Sequence, residues 1–438
     1  MKLLPLLVIN LFFNFLGDFT LSNIKWTRRD MVKMGLFTAG APALGIGSMG
    51  AWAQGLDLGP GNHLVGDVGG ARNEELYTGH PVVGGGQTEI RLNQSLYTDD
   101  PHEIQVAQRL RPFNPLSWYT EWNRVAQINE DIAVGYEEVG LMVSARQFYA
   151  RAMAFHRLAI VYQEDTDETM MPGYMKMREM FEKANPVASA NFERVTINVD
   201  GTPLSGFFRK PGGTGPHPCI IAYQGADSLM HSSINGAGSY VARGMAYLVV
   251  DLPGQGEAKR LHHLYMQPDT ERYVKDLVDY LESRPDVDSD RIALRGVSMG
   301  GYAAPRAAAS ESRIKAVFTS AGSYSCLDDL FEFYPPIQDR CRWIIGAETL
   351  ADARVQLRDY NLDGVAQNIE CPMLIGYGPT DRIMDPQGAY KLYQAAVNSP
   401  REMWSAAGHP HHDAKSGGPV DLRLPTAQDW VAKTLGAI

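Results

Sequence analysis

The sequence predicts an α/β architecture, a mostly parallel central sheet flanked by helices, with a helical region ahead of it. Three observations predict it. After Pro186, short and nearly continuous apolar runs alternate with helix-length stretches. One such run leads directly into a serine flanked by glycines and then into an Ala-rich helix. Before Pro186, from Asp100 to about Asn185, apolar residues recur instead at intervals of three and four, the helical period.

The first 53 residues read as an export signal. Arg28-Arg29 precedes a mildly apolar Gly/Ala-rich run from Met34 to Met49, which ends in Ala51-Trp52-Ala53, a small-x-small cleavage site. Together these predict a twin-arginine signal and a periplasmic or secreted product starting near Gln54. Residues 54–99 are rich in Gly, Asn and polar side chains without periodicity and predict an extended arm. Residues 100–190 predict helices, with Leu141 to Phe155 as the clearest amphipathic stretch, and their aromatics are expected to fill a small core. This region is expected to cap the domain that follows, residues 191–438. There, Phe192 to Val199 and Leu204 to Arg209 predict a strand pair joined at Asp200-Gly201. Further strands are expected at Cys219–Tyr223, Ala246–Val250, Ile292–Leu294, Ala316–Thr319 and Met373–Tyr377, the apolar continuity indicating burial on both faces.

Composition narrows the class. Hydrophobic residues make up 45% and charged residues 21%, an ordinary globular balance. The formal charge of −10 gives no electrostatic reason to expect nucleic acid or an anionic membrane as partner. Past Ala53 no apolar run reaches bilayer length. Four scattered cysteines form neither a disulfide scaffold nor a paired zinc motif, and leave room for one disulfide. A small-molecule substrate is the expected partner, with self-association as a homodimer open, and no cofactor or metal is expected.

The chemistry centres on Gly296-Val297-Ser298-Met299-Gly300-Gly301. A G-x-S-x-G between strand and helix is the nucleophile elbow of the α/β-hydrolase fold, in which the serine Oγ is thrust above the sheet edge. A serine needs a base, and the base needs orienting; in this fold the chain order is Ser, acid, His. Asp381, after the strand Met373–Tyr377, is the expected acid, with Asp385 as a competitor better suited to capping a helix. His409, in Gly408-His409-Pro410-His411-His412-Asp413 before the last helix, is the expected base, with His411 and His412 as rivals. Three histidines on one loop without remote ligands do not make a closed metal site. The oxyanion hole is expected from the backbone N–H groups of Met299 and Ala226, Gly225 letting the backbone approach the substrate. Asp251-Leu-Pro-Gly-Gln-Gly-Glu257 reads as a structural turn.

These features resemble the fermentation–respiration-switch esterase-like branch of the α/β hydrolases. The likeness rests on the helical region, Gln224-Gly225, the Asp251–Glu257 turn, the GVSMGG elbow and the late Gly-His, and it spans roughly Asp100 to the C-terminus. The resemblance implies the Ser298–His409–Asp381 triad and a cap over the site. Some members cleave a carbon–carbon bond beside a ketone with an extra acid soon after the next strand. Here the matching stretch is Leu327–Phe333, where Glu332 fits best and Asp328 and Asp329 compete. Two features depart from the branch: the twin-arginine signal, and Gly-His-Pro-His-His in place of a Cys-containing loop. The expected activity is serine hydrolysis of an ester or of a C–C bond beside a ketone. The alternatives are a peptidase-like or a non-enzymatic binding member of the fold.

Overall fold

A computed structural model describes residues 101–109, 115–405 apart from Asp227, Thr380 and Arg382, and 426–438. The export-signal segment, the arm and the histidine loop 406–425 therefore lie outside the described residues.

Four helices come first: α1 (Pro101–Arg109), α2 (Pro115–Glu138), α3 (Met142–Ala159) and α4 (Met170–Ala184). Aromatics fill their centre, as the periodicity predicts: Trp118 lies against Trp122 and Tyr162, and Trp122 stacks on Phe155 with ring centroids 5.8 Å apart. Strands β1 (Glu193–Val199) and β2 (Thr202–Arg209) form the expected hairpin. Its turn places both Asp200 (φ 49°) and Gly201 (φ 81°) in the left-handed region, which Asp and Gly tolerate best.

The remaining elements are β3 (His217–Tyr223), α5 (Met230–Ser233), α6 (Ala237–Val241), β4 (Ala246–Val250), α7 (Gly256–His262), α8 (Val274–Glu282), β5 (Val287–Val297), α9 (Gly300–Ser310) and β6 (Ile314–Ser320). After them come α10 (Gln338–Ile345), α11 (Leu350–Gln356), β7 (Met373–Tyr377), α12 (Pro386–Ala395), β8 (Arg401–Ser405) and α13 (Ala427–Thr434). The eight strands form one sheet in the order β1-β2-β4-β3-β5-β6-β7-β8, antiparallel through β1, β2 and β4 and parallel from β4 to β8.

Alternate side chains serve the two faces, which is why the inner strands β3, β4, β6 and β7 are nearly continuous apolar runs. In β3, Cys219, Ile221 and Tyr223 join α8, α9 and α12 on one side. Ile220 and Ala222 face the other side, with α6 and α13. That second layer also receives Tyr149 and Met153 of α3 and Tyr174, Met177, Met180 and Phe181 of α4. Phe181 meets Phe207 of β2 at 5.1 Å between ring centroids. The helical region thus shares a hydrophobic core with the sheet. None of the four cysteines is in a disulfide, so the bridge left open by the sequence is not formed. Among the described residues no helix is long and apolar enough to cross a membrane.

Candidate active site

The elbow is built by glycines at the closest approaches. Ser298 follows β5 with φ 54°, a left-handed conformation that is uncommon outside glycine and persists only when its surroundings enforce it. A Cβ on Gly296 would overlap the Gly300 carbonyl, and one on Gly300 would come within 2.7 Å of the Tyr223 carbonyl oxygen. The Ser298 N–H donates to the Ser320 carbonyl at 2.9 Å, which ties the turn to the end of β6. Ser298 is 7% exposed and stands at the start of α9, whose N-terminal dipole favours developing negative charge.

Met299 caps that helix, where N–H groups lack intrahelical acceptors. Opposite it runs the loop after β3. A Cβ on Gly225 would lie 3.1 Å from the Ser298 Cβ, so the backbone of this loop passes directly by the serine. Gln255 fixes the loop's orientation: its Nε2 donates to the carbonyls of Gln224 (2.8 Å) and Gly225 (3.3 Å). In a trans peptide the carbonyl and the next N–H point in opposite directions, so anchoring Gly225 O on one side turns the Ala226 N–H to the other. Sequence reasoning missed Gln255, because nothing in the Asp251–Glu257 turn marks which residue bends back onto a neighbouring loop.

Asp251 completes this scaffold. Oδ1 accepts from Met230 N (2.7 Å) and Gln224 Nε2 (3.0 Å), and Oδ2 from Glu257 N (2.9 Å). Burial raises its pKa, while these donors hold it down. Glu257 accepts from Ser205 Oγ at 2.8 Å and faces Arg178 at 3.4 Å, linking α7 to β2 and α4. The structural reading of the turn accounts for both acids.

Asp381 is 1% exposed just beyond β7. Its Oδ1 accepts from Ile383 N (2.8 Å) and Met384 N (3.0 Å), which fixes the carboxylate. Asp385 caps α12 through Gln387 N at 2.9 Å, the structural task expected of it. His409 and its rivals lie outside the described residues, so no distance joins it to Ser298 or Asp381.

Within 327–333 the structure separates the acids. Glu332 pairs with Arg354 at 2.5 Å with a third of its side chain exposed, a geometry that runs against a buried proton donor. Asp329 is the buried acid. It accepts through Oδ2 from Ser323 Oγ, Tyr324 N and Ser325 N, and burial pushes its pKa up to about 6. Its own carbonyl receives Asp385 N at 2.8 Å, so it braces the loop that carries Asp381. Among the described residues no cluster of His, Cys, Asp or Glu is placed to hold a metal ion.

Comparison with known proteins bears on the family and the fold. The family model Esterase FrsA-like matches residues 110–331, about half of the chain, and the prolyl oligopeptidase family model matches 232–436. 2,6-Dihydropseudooxynicotine hydrolase of Paenarthrobacter nicotinovorans is 30% identical over 281 residues, 64% of this chain and 74% of that one. Hydrolase LUC6 of a Fusarium species is 27% identical, covering 67% of this chain and 80% of its own. The crystal structure of 2,6-dihydroxy-pseudo-oxynicotine hydrolase superposes with a TM-score of 0.65 and 25% identity, over 80% of this chain and 96% of that one. With the eight-stranded sheet and its flanking helices, these matches make the chain a hydrolase of the α/β-hydrolase fold, and it belongs to the FrsA-like esterase family.

Proposed function

We propose that the chain is a serine hydrolase in which Ser298 Oγ attacks a substrate carbonyl carbon. The strained Ser298 backbone, set between the start of α9 and the passing Gly225–Ala226 loop, carries this reading. His409 takes the serine proton as the C–O bond to the acyl group forms and returns it to the leaving oxygen. Asp381 orients His409, and the N–H groups of Met299 and Ala226 receive the oxyanion. Water, deprotonated by the same histidine, then releases the acyl group as a carboxylic acid.

Carbon–carbon cleavage uses the same nucleophile but expels a carbanion equivalent that needs a proton. The Arg354 partner of Glu332 leaves ester hydrolysis the better supported chemistry. Fluorophosphonate labelling of Ser298, abolished in Ser298→Ala, tests the nucleophile; an unlabelled wild type refutes it. Aryl β-diketones and p-nitrophenyl esters assayed side by side, with products weighed by mass spectrometry, test the bond cleaved.

Twin-arginine export belongs to the same proposal. Replacing Arg28-Arg29 by two lysines is expected to trap precursor in the cytoplasm, and undiminished periplasmic recovery overturns it.

A further inference from the structure

Lys259-Arg260 follows the Asp251–Glu257 turn, and nothing in the proposed mechanism uses it. Both side chains turn inward from α7, toward Trp343 of α10. Three cations crowd that indole: Lys259 Nζ lies 4.2 Å from the ring centroid, Arg340 Cζ 4.7 Å and Arg260 Cζ 5.0 Å. Arg260 also stands 5.2 Å over Tyr174. Indole and phenol faces attract cations, yet they do not replace the carboxylate that a buried guanidinium such as Arg260 calls for.

The neighbouring carboxylates among the described residues are engaged with other partners than Arg260. Asp165 holds Lys259 at 2.7 Å, Glu164 and Asp339 hold Arg342, Glu257 faces Arg178, and Asp251 is occupied by its three donors. Among the described residues Arg260, only 8% exposed, forms no ion pair, and the hydrogen bond it makes there is a long one, 3.4 Å to Gly256 O. Burying a guanidinium without a carboxylate is costly, and arginine does not escape the cost by deprotonating. Burial first, and Arg340 second, pull its pKa down to about 10, while Tyr174, Asp251 and Asp165 oppose the shift.

The arginine is next to the proposed chemistry. Arg260 lines a narrow crevice with Arg157, Arg340, Trp343, Ser228 and Ala226. Ala226 is the expected oxyanion donor, and Gly225 beside it passes the Ser298 Cβ. A group entering the crevice would therefore lie between the oxyanion loop and Arg260.

We infer that this crevice takes a carboxylate carried on the acyl side of the substrate, and that Arg260 is the residue that selects it. The guanidinium fork matches the two carboxylate oxygens, and the incoming anion supplies the carboxylate that Arg260 lacks among the described residues. The inference deepens the serine-hydrolase reading and rests on it for the position of the carbonyl.

Two paired probes test it. Kinetically, p-nitrophenyl hemiadipate is compared with p-nitrophenyl hexanoate, which has the same chain length without the charge. The wild type is expected to favour the hemiadipate in kcat/KM by at least about tenfold. Arg260→Gln should bring that ratio within about threefold of one, and Arg260→Lys should hold it in between. A wild-type ratio near one, or an unchanged ratio in Arg260→Gln, overturns the inference. If Arg260→Gln fails to fold, Arg260→Lys carries the test, since a ratio equal to that of the wild type is then the refuting result. By binding, monomethyl adipate, but not dimethyl adipate, should raise the melting temperature of Ser298→Ala and do so less in Ser298→Ala/Arg260→Lys. Equal shifts by the two adipates, or in the two proteins, refute carboxylate selection. Ester turnover without preference sinks the inference and leaves the hydrolase reading standing. An Arg260-dependent thermal shift without turnover of any ester does the reverse.

Discussion

In the helical region, buried charge lies between helices and is answered there. Glu130 of α2 pairs with Lys176 of α4, with His156 of α3 3.8 Å away, and Glu121 binds both Arg109 and Arg124. In the sheet domain the buried charged side chains Asp251, Glu257, Lys259, Arg260, Asp329, Arg340 and Asp381 are carried by segments that leave the carboxyl ends of strands. The exception, Glu311, precedes β6 and pairs with Arg313. The difference teaches where function is concentrated. Charges that complete each other inside a packed layer hold structure, whereas charges gathered at one sheet edge, some engaged by backbone donors and one, among the described residues, without a carboxylate, mark a site.

The largest effect should come from the sheet edge. His409→Ala is expected to lower kcat by at least about a thousandfold, matching Ser298→Ala, because triad members act as a unit. His411→Ala and His412→Ala should cost far less, and both triad variants should melt like the wild type. A dead His412→Ala beside an active His409→Ala moves the base along the loop.

The helical region should instead set the acid limit of stability. Burial pushes the pKa of His156 down to about 4; Glu130 pulls against it, and the charge of Lys176 adds to it. The unfolded chain takes up this proton below about pH 6.5 and the folded chain only near 4. Stability is therefore full above 6.5 and falls as the pH drops through that window, by up to about 3 kcal/mol for this group. His156→Phe should flatten urea-unfolding curves measured between pH 6.5 and 4. A slope unchanged by the substitution would show that the helical region does not set the limit.

Asp329 should act with the opposite sign. Its folded pKa, near 6, stands above the ordinary value of 3.8, so the unfolded chain releases this proton first. Stability from this group is present below about pH 4 and lost as the pH rises to 6, by at most about 3 kcal/mol. Asp329→Asn keeps an acceptor for Ser323, Tyr324 and Ser325 and should remove that loss. An unchanged pH profile would show that its donors already compensate for burial.

The smallest effect is expected at Glu332. Its pair with Arg354 is half in solvent, where ion pairs contribute about 1 kcal/mol or less. Glu332→Gln should change ester hydrolysis and β-diketone turnover equally and little. A selective loss of the β-diketone reaction would restore Glu332 as the acid for carbon–carbon cleavage.

The choice between Asp329 and Glu332 shows where sequence reading stopped. In an α-helix, residues three apart share a face, so Asp329 stayed a competitor of the better-fitting Glu332 for one site. The chain instead winds a single π-helical turn over Leu327–Glu332, and the wider turn rotates Asp329 inward and Glu332 toward Arg354. A backbone detail of this kind leaves no mark in the residue pattern. His409, inferred from its Gly-His context before the last helix, still rests on sequence alone.

By itself the sequence determined the inner strands β3, β4, β6 and β7, because burial on both faces demands unbroken apolar runs, and the hairpin, because Asp200-Gly201 accept the left-handed backbone it needs. It also determined the elbow, because only glycine fits beside Ser298 at Gly296 and Gly300. Tertiary structure alone decided that Gln255 orients the loop after β3, that Asp251 ties three segments together, and that Arg260 and Arg340 meet at Trp343. These contacts join residues whose types are common and whose separations in the chain are large. Periodicity and motif spacing report local geometry, and the electrostatics of a site depend on which distant segments the fold brings together.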